Sequence, residues 1–252
     1  MEDNIIYDCR FSGEVDDKFI NDFISVEREV FKNNYSKELF IKKYINNPFG
    51  ESVVAVVYLN GKPVAARGLW RNDINSQPAY QPADTCVSGA CRGRGIFTQM
   101  TECSIKMLNS NDVVYNFPNQ NSYPGYIKMG WKLMGEYGFE LFTGNNKYKK
   151  EHPVKMDKAY ADWWINPKDS LYYFKCGDEY YLVRKMAKRF CFKICAAVPR
   201  EIALQFSKKP FGFCFYRSKR HTFYNKSIGM PLHVVSKSNK DEYIPLWKID
   251  VL

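Results

Sequence analysis

Residues 85–97, Thr-Cys-Val-Ser-Gly-Ala-Cys-Arg-Gly-Arg-Gly-Ile-Phe, carry the reading of this chain. A β-branched strand end runs into a short turn. Arg92-Gly93-Arg94-Gly95 follows, and then apolar residues at Ile96, Met100, Cys103 and Met107 recur with helical spacing. Glycine lets backbone N–H groups turn toward a ligand, and a helix that starts there adds the partial positive charge of its unpaired donors. Two arginines add full charges. Such a site suits a pyrophosphate. The dinucleotide fingerprint is not met, because Thr98 stands where its third glycine is required. The P-loop is excluded too, since no Gly-Lys-Ser/Thr follows.

Downstream, Val113–Phe117 reads as a buried strand ended by Pro118, followed by Asn119-Gln-Asn-Ser122 and Tyr123-Pro-Gly-Tyr126-Ile-Lys128-Met-Gly130-Trp131. With both stretches in view the chain resembles the Gcn5-related N-acetyltransferase (GNAT) superfamily. Its acetyl-coenzyme A loop reads Arg/Gln-x-x-Gly-x-Gly/Ala, and a later segment reads Asn-x-x-Ala-x-x-x-Tyr-x-Lys-x-Gly-Phe. Arg92 and Gly95 take the first two fixed loop positions, and Phe97 stands where Gly or Ala is usual. Asn119, Ser122, Tyr126, Lys128, Gly130 and Trp131 follow the second pattern, with Ser and Trp as substitutions. The match covers residues 1–145 well and the rest loosely.

The resemblance implies an α/β (α+β) fold with a mixed central sheet of GNAT type and acetyl-CoA as co-substrate. Coenzyme A would lie where the 81–87 and 113–117 strands part. Its pyrophosphate would meet the amides of Arg92, Gly93, Arg94, Gly95, Ile96 and Phe97, with a hydroxyl from Thr98. The Val87 amide would face the thioester oxygen, and Asn119 would bond the pantetheine or close its turn. Tyr126 would protonate the departing thiolate. Asp84 or Glu102 could take the proton of the attacking amine, and Asp84, on the strand beside the acetyl group, is the choice. The Phe97 ring either points behind the helix, leaving the cradle intact, or narrows the site.

The remaining features set bounds. At 252 residues and 45% apolar content, the chain can bury a substantial core. No apolar run reaches the length of a bilayer span, and the N-terminus lacks a secretory pattern, so a cytoplasmic location is expected. Eight cysteines at irregular spacings read as reduced thiols; with three scattered histidines, His152, His221 and His233, no metal site is expected. The net charge of +10 invites a nucleic-acid reading, but residues 1–60 are close to neutral and the excess gathers in Lys147–Lys158 and Arg184–Arg220; an anionic cofactor or acceptor also favours such a surface, and no nucleic-acid partner is expected.

Element spacing predicts a first half ordered β-α-α-β-β-β-α-β-α-β. It opens with a strand at 4–8, a helix at Val15–Phe31, and a second helix capped by Ser36 and running to Ile45. Strands Val53–Leu59 and Val64–Trp70 follow, joined at Asn60-Gly61. The charged connector 144–152 marks the expected boundary between a GNAT domain, 1–145, and a C-terminal α+β domain, 146–252, that resembles a degenerate second GNAT-like half. The expected activity is acyl transfer from acyl-CoA to a primary amine of a small molecule, an amino sugar favoured by the many aromatic residues. Two alternatives stand beside it: a catalytically degenerate acyl-CoA-binding or scaffold protein, and an aminoacyl-tRNA-dependent transferase.

Overall fold

The computed structural model describes residues 3–166, 170–219, 232–238 and 243–250; Pro167, Arg220 and His221 lie outside these. The chain divides into two compact units. The first comprises 1–116, 120–132 and 235–241, and the second 117–119, 133–234 and 242–252. Among the described residues, no helix is long and apolar enough to cross a membrane.

In the first unit the elements run β1 (Ile5–Phe11), α1 (Asp17–Phe31), α2 (Lys37–Phe40), β2 (Val53–Leu59), β3 (Lys62–Arg71), β4 (Ala79–Val87), α3 (Ile96–Lys106), β5 (Val113–Asn116) and α4 (Tyr123–Lys128). Strands β1 to β4 form an antiparallel meander; β5 joins β4 in parallel and is flanked on its other edge by Val235 and Ser236. The order is the one the spacing predicts. Helix α1 starts where Asp16 accepts from the Phe19 amide at 2.7 Å and stops at Lys32 in the left-handed region. Between these caps it buries Phe19, Ile20, Phe23, Ile24 and Val26. Ser36 caps α2 through the Leu39 amide, and the helix widens into a π turn over Ile41–Ile45. Asn60 and Gly61 both take positive φ, 51° and 79°, as a tight hairpin matched to strand twist requires.

The core beneath this sheet is aromatic. Phe23 meets Phe40 edge-on at 5.1 Å, and Tyr44 packs on Phe40 at 5.0 Å. Gly68, on β3, is what admits Tyr44, because a Cβ there would fall within the tyrosine ring.

The second unit begins before the expected boundary. Strand β6 (Lys132–Leu141) pairs with β11 (Phe213–Ser218), so all but its first residue belongs to this unit, and the 144–152 connector contains a helix, α5 (Asn145–Glu151). Nearest-in-sequence logic assigned β6 to the first half; a strand's partner eighty residues away decided otherwise. The unit's other elements are α6 (Lys158–Trp164), β7 (Leu171–Cys176), β8 (Glu179–Lys185), β9 (Cys191–Val198), α7 (Arg200–Ala203) and β10 (Ser207–Lys208). Its strands lie in the order β6-β11-β9-β8-β7-β10.

The space at Gly68 gives a stability prediction. Gly68→Val is expected to lower unfolding free energy by about 1–3 kcal/mol through overpacking against Tyr44. Urea titration reads this as a lower midpoint at unchanged slope.

Candidate functional site

Strand β4 pairs with β5 at Ala79/Val113 and Tyr80/Val114, then continues to Val87 with no further strand partner on that side among the described residues. Along its other edge the register with β3 slips, so that Arg67 faces both Asp84 and Thr85; Asp84 takes a positive φ of 48°. This is a β-bulge, which bends a strand and increases its twist. Beyond it the Ser88 amide donates to the Val64 carbonyl at 2.8 Å, so Val87 and Ala65 form a non-hydrogen-bonded pair. The N–H of Val87 consequently points away from β3, to the edge that β5 has left.

The chain then makes a 3₁₀ turn at Gly89–Cys91 and enters α3 through Gly93 and Gly95, with φ of 79° and 75°. Left-handed backbone at both positions explains glycine there. Arg92, Gly93, Arg94 and Gly95 are exposed, Ile96 is buried, and Phe97 and Thr98 are half-buried. A cavity of about 310 Å³ is lined by Val87, Cys91, Arg92, Gly93, Gly95, Ile96 and Phe97. Arg92 turns back, its Nε donating to the Val87 carbonyl at 3.2 Å, while Arg94 pairs with Asp3 at 2.6 Å on the open surface. Exposed pairs of this kind contribute little and exchange easily.

The Phe97 ring lies against Gly125, where a Cβ would come within 3.1 Å of it, and meets Tyr126 edge-on at 5.5 Å. It therefore packs between α3 and α4 and forms one wall of the cavity. Tyr126 is itself buried and stacks edge-on with Trp131 at 4.7 Å. Asn119 is exposed and groups with the second unit, whereas the loop and Tyr126 belong to the first.

Two clusters were not legible in the sequence. Arg67 is fully buried, its Nε donating to Thr85 Oγ1 at 3.1 Å, Nη2 to Tyr126 Oη at 3.1 Å, and Nη1 to Thr101 Oγ1. Phe97 covers the guanidinium at 4.8 Å. Among the described residues no carboxylate pairs with it. Burial lowers the Arg67 pKa, and burial raises that of Tyr126, opposed there by Arg67 and Asn116. The available signal was a lone charge in the apolar strand Val64–Trp70.

The second cluster surrounds Asp84. Its carboxylate receives Tyr44 Oη at 2.6 Å, Tyr35 Oη at 2.8 Å and Lys43 Nζ at 3.0 Å. Burial alone would raise its pKa; Lys43 and the two phenols outweigh that and hold it below the usual carboxylate range. Such a group is a poor proton acceptor at neutral pH. Nearby Glu27 on α1 is also buried, with one hydrogen bond from Asn33 at 3.0 Å, and its pKa is raised by burial and by the charge of Asp84. Glu102, on α3, is exposed and belongs to neither cluster.

Asp84→Asn is expected to cost about 3 kcal/mol, because it leaves Lys43 half of a broken buried pair. The wild-type contribution is present in full above the ordinary carboxylate range and is lost as pH falls through the depressed pKa of Asp84. Denaturant titrations of both proteins should therefore differ at pH 7 and converge toward acid; equal stability at pH 7 would refute the anchoring role.

A sequence model described as acetyltransferase (GNAT) domain matches residues 13–134. No curated protein sequence matches the chain. Among solved structures, the fold is similar to a GCN5-related N-acetyltransferase from Anabaena variabilis, with TM-score 0.57 and 12% identity over 92% of this chain and 72% of that one. It is also similar to a GCN5-related N-acetyltransferase from Kribbella flavida, with TM-score 0.52 and 10% identity over 93% and 71%. At such identities the likeness is one of fold. The parted β4 and β5 strands, the glycine turn into α3 and the matched segment agree: residues 13–134 are an acetyltransferase domain of the GNAT superfamily.

Proposed function

We propose that this protein transfers an acetyl or other short acyl group from acyl-CoA to a primary amine of a small molecule. The observation that carries the reading is the Val87–Phe97 turn, where main-chain donors of a strand edge and of an eleven-residue helix start open onto one cavity. Nothing built on Gly93 would be crowded, so its missing side chain leaves a path to the backbone. A pyrophosphate fits that setting, with Arg92 and Arg94 free to turn toward it once released from weak surface contacts. When bound, acyl-CoA supplies an acyl group already activated as a thioester.

The chain's own groups then have distinct tasks. The Val87 N–H, turned from β3, donates to the carbonyl oxygen as charge gathers there. Tyr126 accepts hydrogen bonds from Arg67 and from the Asn116 side chain, which leaves its own proton for the departing sulfur. Arg67 steadies the phenolate so formed, offsetting part of the penalty that burial places on it. The amine's proton leaves to water, while Asp84 serves as a fixed anion that holds Tyr35, Tyr44 and Lys43 in place. Thr98, half-buried in the first turn of α3, is given a cofactor contact only. Eight cysteines outside any disulfide among the described residues suit a reducing, cytoplasmic setting.

Acetyl-CoA at about a hundred times its dissociation constant should raise the melting temperature by about 5–10 °C. Arg92→Glu should remove that shift. No shift with acetyl-, propionyl- or succinyl-CoA would reject the assignment. In thiol-release assays over an amino-sugar and amino-acid panel, Tyr126→Phe should lower turnover about a hundredfold with cofactor affinity unchanged. Tight acetyl-CoA binding without turnover on any amine would instead mark an acyl-CoA-binding protein.

A further inference from the structure

At one end of the second unit, three phenylalanines stand in solvent: Phe190 is 48% exposed, Phe213 57% and Phe211 83%. They are neighbours, with ring centroids 6.4 Å apart for Phe190 and Phe211 and 6.5 Å for Phe211 and Phe213. Isolated exposed apolar residues are ordinary, but a contiguous cluster marks a contact surface. The cluster is also built to stay in place. The Phe213 amide donates to the Phe190 carbonyl at 2.8 Å, and Lys209 Nζ reaches the carbonyls of Pro210 and Gly212 at 2.9 Å each. A side chain at Gly212 would strike the Phe190 carbonyl, so glycine is required for this close approach. A rigid apolar tip loses little freedom on binding.

Its electrostatic setting is one-sided. From Lys185 to Lys219 the sequence has nine lysines and arginines and a single carboxylate, Glu201. Beside the rings, Lys188, Arg189 and Lys208 are exposed and have no carboxylate partner among the described residues. Arg189 lies over the Phe190 ring at 4.9 Å, its charge held at the level of the aromatic cluster.

We propose that this tip docks on an anionic phospholipid bilayer, the phenylalanines entering the headgroup–acyl boundary and the flanking cations meeting lipid phosphates. Charge decides the occupant. A second copy would bring like charges together, whereas an anionic surface attracts every one of these side chains. Ring geometry decides against single-stranded nucleic acid. Interplanar angles of 66° and 62° leave a protruding knot instead of parallel faces on which successive bases stack. Aromatic side chains ringed by lysine and arginine match what interfacial membrane anchors present.

The test is cosedimentation of the full chain with vesicles of phosphatidylcholine, alone or with one third phosphatidylglycerol. Wild type should partition onto the anionic vesicles, weakly onto neutral ones, and less as salt rises. Phe211→Ser should weaken partitioning about tenfold, the loss of one buried phenylalanine, with melting temperature unchanged. The double variant K188E/R189E should abolish the preference for anionic lipid. Equal partitioning of wild type and Phe211→Ser, or no partitioning at all, would overturn the proposal. A Phe211-dependent dimer, or Phe211-dependent binding of tRNA without vesicle binding, would do so as well.

Discussion

The departure of β4 from β5 is the constraint on which the site depends. Two residue pairs join these strands, and among the described residues the seven residues of β4 that follow have no strand partner on that side. In an ordinary parallel sheet the Val87 N–H would be spent on its neighbour. Here the bulge at Asp84 bends the strand, and the carboxylate that occupies this left-handed position is gripped by Lys43 and Tyr44 from the π turn after α2 and by Tyr35 from the segment before α2. A strained backbone position persists when its surroundings over-determine it, and three donors on one carboxylate do so. Helix packing on one face thus sets the strand edge that opens on the other.

Arg67 occupies the opposite face of the same bulge. A buried guanidinium without a carboxylate is expensive, and it is retained here by two threonine hydroxyls, a phenol and an aromatic cover. It ties β3, β4, α3 and α4 together beneath the turn. The consequence is a charge fixed next to Tyr126, where a neutral residue would satisfy packing at lower cost. A charge held at such cost beside a candidate acid is what chemistry at Tyr126 would explain.

Much of this was legible locally. The Asn60-Gly61 hairpin, the helix expected over Val15–Phe31 and the glycine turn into α3 each rest on contacts between residues close in sequence, and the motif spacing carried the family. What could not be read comes from distance. The sequence makes Asp84 a candidate proton acceptor because its partners, Tyr35, Lys43 and Tyr44, lie 40 to 49 positions away and do not show in its local pattern. Arg67 depends on Tyr126, 59 residues on. The unit division escaped for the same reason, since β6 is claimed by β11 and not by the strand before it. Phe97, the departure from the family pattern, is explained by Gly125, whose bare backbone makes room for the ring.

The central claim is that main-chain amides of Val87 and of the turn into α3 grip the cofactor. Amide hydrogen exchange, followed by mass spectrometry with and without acetyl-CoA, addresses it directly. Slowed exchange concentrated in peptides spanning Val87 to Phe97 is the predicted result. Binding that leaves those peptides unprotected, with protection elsewhere in the chain, would contradict the account.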